Sequence, residues 1–214
     1  MSRLQKSWGQ LMAEQEGVIK FNLSFSEQVM PDIDVAELSA WRSILKDLGL
    51  LGQTPERYDG YGFGNISMRC EGGFIISGTQ TGDLDEVSLN DYAVCQSWDL
   101  SRNEVSAIGR VKPSSESLSH AAVYDVHEEV TCALHVHSPD IWRHANEMNI
   151  AVTDEEVPYG TPEMAAEVRR HIMDMTSPGI FSMGGHEDGV FTFGRSLAEA
   201  GELMVRELAR ARAI

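Results

Sequence analysis

The chain has 214 residues, of which 42% are hydrophobic, so it is long enough to bury one sizeable core. Its 33 acidic residues outnumber its 17 basic ones, and a net charge of −16 argues against binding to nucleic acid or to an anionic membrane surface. No apolar run approaches the ~20 residues of a membrane span. Three scattered cysteines, no CxxC pair and no secretory signal favour a reduced, cytoplasmic chain. Because no linker or break in composition is found, we predict a single domain over residues 1–214.

The first half of the chain predicts two strands and one long helix. "KFNLSF" (Lys20–Phe25) alternates apolar and polar residues, which is typical of a strand. From Asp34, apolar residues recur at helical spacing, with Asp34 as the predicted cap and Gly52 just past the predicted end. A glycine-rich segment, "DGYGFGNISMR", precedes a predicted strand, "GGFIIS", and a polar turn, "GTQTGD".

The second half predicts four helices and three strands. Ser115–Val126 has a helical pattern, and "VTCALHVH" is typical of a buried strand. Proline follows Ser138 and Thr161, which suits two more helix starts, and Ser196 with Glu199 predicts a capping box on the last helix. Two short strands flank "GGHEDG". Helices alternating with strands imply a layered α/β fold, without deciding the order or direction of the strands.

The histidines of "VTCALHVH" are the first sign of a metal site. His135 and His137 lie two residues apart, so in a strand both side chains point to one face, roughly 6–7 Å apart at the backbone. Two imidazoles at that separation suit a divalent ion such as zinc, iron or nickel. The alternative is one buried, hydrogen-bonded histidine and one facing solvent. A catalytic zinc ion also needs further ligands, typically three protein groups in all.

Small polar residues at loop ends suggest an anion site. In "KPSSE", Ser114 and Ser115 precede Glu116 at a predicted helix start, where backbone amides attract anions; the alternative is that a serine simply caps the helix. The glycines of "GFGNIS" and "SGTQTG" would let the backbone approach a ligand, although such pairs are also common in turns. "GGHEDGVF" places His186 and Asp188 on one turn.

In this order, "GNIS", "TQTG", "PSSE" with a histidine four residues on, "HVH" and a late histidine before "GVFTFG" resemble the class II aldolase/adducin family. The shared motifs run from about Gly64 to Gly194. The resemblance implies a three-layer α/β/α sandwich around a mostly antiparallel central sheet. It also implies a homotetramer with its sites at subunit interfaces.

The resemblance also implies roles for particular residues. Glu116 matches the general acid/base and possible additional metal ligand, and His120 matches a histidine that does not bind metal. His135, His137 and His186 are the expected metal ligands, with Asp188 as the alternative to His186, since the family's third histidine directly precedes the glycine. The residues expected to bind phosphate are Gly64, Asn65, Thr81, Gly82, Ser114 and Ser115.

The function implied is a metal-dependent lyase, with zinc or another divalent ion, that cleaves a small phosphorylated keto-sugar through a metal-stabilised enediolate. Neither the segment after His137 nor the C-terminal tail holds the tyrosines that the family's aldolases use, and Tyr159 is the nearest one. Dehydration and epimerisation therefore remain alternatives, as does a catalytically silent adducin-like interaction domain. His127, His144 and His171 are expected at the surface.

Overall fold

A computed structural model describes residues 17–214 of the chain. The strands are β1 (Asn22–Glu27), β2 (Asn65–Cys70), β3 (Gly73–Ser77), β4 (Tyr92–Asp99), β5 (Glu104–Gly109), β6 (Cys132–His137), β7 (Ala151–Val152), β8 (Gly179–Ser182) and β9 (Gly189–Gly194). The α-helices are α1 (Ala36–Asp47), α2 (Ser117–Val126), α3 (Pro139–His144), α4 (Pro162–Ile172) and α5 (Leu197–Ala211). None of the helices in this range is long and apolar enough to cross a membrane.

The strands form one mixed sheet in the order β1-β5-β4-β3-β2-β6-β9-β8-β7. The pairs at the two edges, β1 with β5 and β7 with β8, are parallel, whereas the inner neighbours run antiparallel. The prediction of an α/β fold is confirmed, but the sheet is mixed. Parallel pairing needs a long connection, and helix α4 provides one between β7 and β8.

Two hydrophobic clusters use alternate residues of the same strands. Along β6, Cys132, Leu134 and Val136 join the cluster that includes residues of α1, α3 and α5. Ala133 joins the other, which includes residues of α2 and α4. Because side chains alternate across a strand, His135 and His137 share the face of Ala133 and lie under α2 and α4.

The predicted caps are observed at three helices. The hydroxyls of Ser138, Thr161 and Ser196 accept hydrogen bonds from the backbone at the start of α3, α4 and α5. The predicted capping box on α5 is half formed. The Glu199 carboxylate accepts from the backbone and guanidinium of Arg195 instead of from Ser196.

Some details differ from the sequence predictions. Helix α1 ends at Asp47 and is followed by Gly49, which has φ +71° and donates to the Lys46 carbonyl, whereas Gly52 pairs with Phe63 in an isolated bridge. A left-handed backbone conformation favours glycine, so Gly49 is the terminator. His127, expected at the surface, is buried, with Nε2 bonded to the Ile172 carbonyl at 2.9 Å.

Strands β2, β4 and β5 are not singled out by the sequence patterns. A register shift between Cys95 and Ser97 interrupts the alternation in β4, and β2 begins inside the glycine-rich segment. Each of the three is hydrogen-bonded on both sides. Pairing with neighbours therefore defines these strands more strongly than their own hydrophobic pattern does.

Candidate metal centre and anion pocket

Three histidines converge beneath helices α2 and α4. His135 and His137 extend from β6, and His186 comes from the turn between β8 and β9. One ring nitrogen of each lies within 4.8 Å of those of the other two, and all three side chains are buried. The pairing of β6 with β9 sets His137 opposite Gly189 and so holds the His186 turn above the strand. Three imidazoles arranged in this way can enclose one divalent ion.

The environment of His135 fits a metal ligand. Among residues 17–214, neither of its ring nitrogens has a hydrogen-bond partner. Burial, followed by the nearby His137, His186 and His120, holds the pKa of His135 well below its usual range. A neutral imidazole is the form that binds metal, and a buried polar ring without a partner is costly. The donor set therefore fits a divalent ion.

Asp188 stands outside this histidine group. The Tyr58 hydroxyl donates to its Oδ2 at 2.8 Å, and its backbone carbonyl accepts from Ser138. Burial first, and then the hydrogen bond to Asp188, raises the pKa of Tyr58 above its ordinary value. His186 therefore lies beside His135 and His137, whereas Asp188 lies beside Tyr58.

Two tyrosines contact the histidine rings. The Tyr58 ring meets that of His137 edge-on, with centroids 4.7 Å apart. The Tyr159 ring stacks on His186 at 4.4 Å. The sequence motifs do not point to Tyr58, because it lies in a short 3₁₀ turn far from His137 in the chain. Phenol groups therefore border the histidines from positions unlike those expected from the family motif.

Glu116 joins the histidine group to the start of helix α2. Its side chain is 1% exposed, and Oε1 lies 3.6 Å from Nδ1 of His186. The Ser119 hydroxyl donates to Oε2 at 2.7 Å, which orients the carboxylate. A buried carboxylate placed in this way can carry a proton between the protein and a ligand held beside the histidines.

A single pocket collects the small polar residues of the sequence motifs. Lining it are all six residues expected to bind phosphate: Gly64, Asn65, Thr81, Gly82, Ser114 and Ser115. Ser114 accepts a hydrogen bond from the backbone of Glu116, which is itself the N-cap of α2, so neither serine caps this helix as the alternative expected. Asn65 on β2 pairs with His135 on β6. The pocket therefore adjoins the histidines.

The two pocket glycines expected to bind phosphate, Gly64 and Gly82, have no room for a side chain. A Cβ on Gly64, at φ +71°, would lie 2.5 Å from the Cβ of Leu51. A Cβ on Gly82 would lie 2.2 Å from the Gly52 carbonyl oxygen. Both glycines let two loops approach closely around the pocket.

Arg42 adds a positive charge that the sequence motifs do not reveal. Its side chain lines the same pocket, is 2% exposed, and donates to the backbone carbonyls of Thr81 and Leu84. Burial lowers its pKa, while nearby acidic side chains oppose that shift; a guanidinium nevertheless stays charged at neutral pH. The one sequence signal is its position between Leu38 and Leu45 on the buried stripe of α1.

The chain belongs to the class II aldolase and adducin N-terminal domain family, whose model matches residues 55–212. The matched range contains the three histidines, Glu116 and the six pocket residues.

Particular relatives are similar over parts of the chain. It is 35% identical over 106 residues to a methylthioribulose-1-phosphate dehydratase of Leptospira borgpetersenii. The matched stretch covers 44% of this chain and 40% of that protein, so the chain spans less than half of that relative's length. Its fold matches L-fuculose-1-phosphate aldolase from Thermus thermophilus, with a TM-score of 0.62, 20% identity and coverage of 83% and 90% of the two chains. A sugar-phosphate aldolase from Thermotoga maritima matches similarly, with a TM-score of 0.62, 17% identity and coverage of 83% and 91%. At these identities the structural matches show a shared fold.

Proposed function

We propose that this protein is a divalent-metal-dependent lyase acting on a small phosphorylated hydroxycarbonyl compound. The observation that carries the proposal is that two groups of residues adjoin. The three buried histidines and the Glu116 carboxylate form one group, and the pocket of short polar donors with the buried Arg42 forms the other. Asn65 of the pocket pairs with His135, and Ser115 directly precedes Glu116. Such a site suits a substrate with a phosphate at one end and adjacent carbonyl and hydroxyl oxygens at the other.

His135, His137 and His186 would hold the metal, with Glu116 as a possible additional ligand. Three imidazoles are a donor set of catalytic zinc sites, so we propose Zn²⁺. A bound divalent ion supplies Lewis acidity, which makes a proton beside a chelated carbonyl easier to remove.

The protein side chains would position the substrate and move the proton. The pocket hydroxyls, amides and the Arg42 charge would hold the phosphate, which orients the rest of the molecule. Glu116 would then exchange a proton with the carbon next to the carbonyl. Ser119 keeps one carboxylate oxygen engaged, and the other lies on the histidine side.

Two lyase reactions use this arrangement. In dehydration, the C–H bond beside the carbonyl breaks, Glu116 takes the proton, and the hydroxyl on the next carbon leaves as water after protonation. In aldol cleavage, the hydroxyl on the β-carbon would give its proton to Glu116, the C–C bond would break, an aldehyde would leave, and Glu116 would pass the proton to the α-carbon. We place dehydration first, because the relatives named as dehydratases are 35% identical over a matched stretch of 106 residues, whereas the aldolase structures are 20% identical or less over 83% of the chain.

Elemental analysis and an activity assay test the proposal together. Protein purified without added metal should contain near-stoichiometric zinc or another divalent ion, which the His135→Ala/His137→Ala variant should lack. Methylthioribulose-1-phosphate and a panel of ketose phosphates would then be assayed for water loss and for aldehyde release. Water loss supports dehydration, and aldehyde release supports aldol cleavage.

The opposite result would identify a different class of protein. If the parent protein holds no metal and takes up none when zinc, manganese or cobalt is offered, the lyase proposal is wrong. The chain would then be an adducin-like interaction domain.

We further propose a cytoplasmic homotetramer with its sites at subunit interfaces, in line with the family resemblance. Light scattering would measure the subunit number.

A further inference from the structure

A buried chain of hydrogen bonds runs from the core to the anion pocket. The Tyr124 hydroxyl lies 2.6 Å from Ser67 Oγ, and Ser67 Oγ lies 2.6 Å from His120 Nδ1. His120 Nε2 lies 2.6 Å from Asn65 Oδ1. All four side chains are at most 6% exposed. Asn65 alone of the four lines the pocket.

The chemistry of the groups gives this chain a direction. A carbonyl oxygen only accepts, so His120 Nε2 must carry the hydrogen that bonds Asn65 Oδ1. In a neutral imidazole Nδ1 is then an acceptor, and the Ser67 hydroxyl must donate to it. The Ser67 oxygen can in turn accept from Tyr124. In the reverse direction, Nδ1 would donate to Ser67 Oγ, and the Ser67 hydroxyl would be left with the Ala133 carbonyl at 3.5 Å, a much longer bond than the 2.6 Å one to His120.

The bond to His120 also determines which half of the Asn65 amide remains for the pocket. With Oδ1 held by His120, the NH₂ group is the half left to donate to a ligand. An amide turned the other way would present a carbonyl dipole to an anion and repel it. We propose that Tyr124, Ser67 and His120 form a positioning relay that fixes the Asn65 amide as an anion donor. This inference rests on the phosphate pocket of the proposed function.

The charge state of His120 agrees with the relay. Burial lowers the pKa of His120 to about 3, so the ring is neutral at physiological pH. Its ring also packs edge-on against Phe191 at 4.9 Å, which restrains its orientation. A neutral imidazole accepts at one nitrogen and donates from the other. The hydrogen bond that Nδ1 accepts from Ser67 therefore fixes Nε2 as the donor to Asn65. A protonated ring would donate from both nitrogens and oppose the Ser67 bond.

Variants at the distant end of the relay test it without touching the pocket. Inorganic phosphate is the probe, and its dissociation constant is measured by titration of the full chain. Ser67→Ala and Tyr124→Phe should each weaken phosphate binding roughly threefold to tenfold, as expected for one misdirected hydrogen bond. Asn65→Asp, which replaces donors by a negative charge, should abolish it.

Tyr92→Phe is the matched control. The Tyr92 hydroxyl is also buried and also bonds a serine, Ser39, at 3.0 Å, but it belongs to the core on the other face of the sheet. Its removal should leave phosphate affinity at the parent value. An equal loss in Tyr92→Phe and Tyr124→Phe would overturn the relay, because general loosening of the core would then explain both.

A nitrogen-15 NMR spectrum gives a readout on the parent protein itself. The His120 signals, identified by their loss in His120→Gln, should show hydrogen on Nε2. Hydrogen on Nδ1 would overturn the relay, as would unchanged phosphate binding in Ser67→Ala and Tyr124→Phe. If the parent protein binds no phosphate, the anion pocket of the proposed function is wrong and this inference fails with it. Metal content and lyase activity are measured separately, so the two failures are distinguishable.

Discussion

At the scale of single residues, the site depends on polar groups held out of water. Glu116, His120 and His135 are each at most 1% exposed, although charged and polar side chains of these types usually face solvent. Burial restricts their orientation and their protonation. The chemical behaviour of the site therefore depends on individual atoms, and single substitutions should separate their roles.

Glu116→Gln should remove activity while keeping the shape of the site. The amide can accept the hydrogen bond from Ser119 but cannot exchange a proton, so we expect kcat to fall about 10²–10⁴-fold. Glu163→Gln, the same change at an exposed position in the first turn of α4, is the control and should be as active as the parent. Loss of metal together with activity would instead identify Glu116 as a ligand.

Acid should destabilise the protein through His120. The folded pKa of about 3 lies below the ordinary value of 6.5, so below pH 6.5 the unfolded chain binds a proton that the folded chain does not. The contribution of His120 to stability is complete above pH 6.5. It is lost as the pH falls toward 3, by about 1.4 kcal/mol per pH unit. Denaturant unfolding of the parent and of His120→Gln between pH 7 and pH 4 should show a flatter dependence in the variant; parallel curves would contradict this assignment.

At the scale of elements, the helices on the face away from the histidines are fitted closely together. Gly201 lies on α5 opposite Trp41 of α1. A Cβ at Gly201 would lie 2.3 Å from a carbon of the Trp41 ring. Glycine usually weakens a helix, so its presence in the middle of α5 indicates that close packing matters more there than helix propensity.

Gly201→Ala should therefore destabilise the protein. Overpacking costs about 1–3 kcal/mol, and better helix propensity offsets about 1 kcal/mol of it, so we expect a net loss of up to about 2 kcal/mol. In a Trp41→Leu background the same substitution should be neutral or stabilising, because the obstructing ring is gone. Denaturant unfolding of the four proteins measures both effects. A gain in stability in the parent background would show that the ring moves aside without cost.

At the scale of the whole molecule, a bound ion would join segments far apart in sequence. His135 and His137 belong to β6, while His186 follows β8, and these strands lie on either side of β9. An ion shared by the three histidines would connect β6, in the middle of the sheet, to the turn between β8 and β9. Any ligand that binds only the folded state stabilises that state.

Zinc should raise the melting temperature of metal-free protein. At 100 times the dissociation constant the gain is about 2.7 kcal/mol, which corresponds to a rise of roughly 5–10 °C in a chain of this size. Differential scanning calorimetry before and after metal addition measures the shift. The His135→Ala/His137→Ala variant should show none, and an equal shift in both proteins would place the binding elsewhere.

The sequence alone determined the local features and the residue types of the site. The capping serines and threonine, the buried strand that carries His135 and His137, and the order of the polar motifs follow from nearest-neighbour periodicity and cap chemistry. The left-handed turn at Gly49 after helix α1 and the burial of His127 did not follow, because the first depends on a backbone angle and the second on a partner distant in sequence.

The tertiary structure alone decided which of these residues meet. The choice of His186 rather than Asp188 beside His135 depends on how the turn between β8 and β9 folds back over the sheet. The placement of Arg42 in the anion pocket and of Tyr58 against His137 depends on loops that pack across it. The Tyr124–Ser67–His120–Asn65 relay crosses from α2 to β2. The relay contacts join residues more than 50 positions apart, and local sequence patterns carry no information on pairing at that distance.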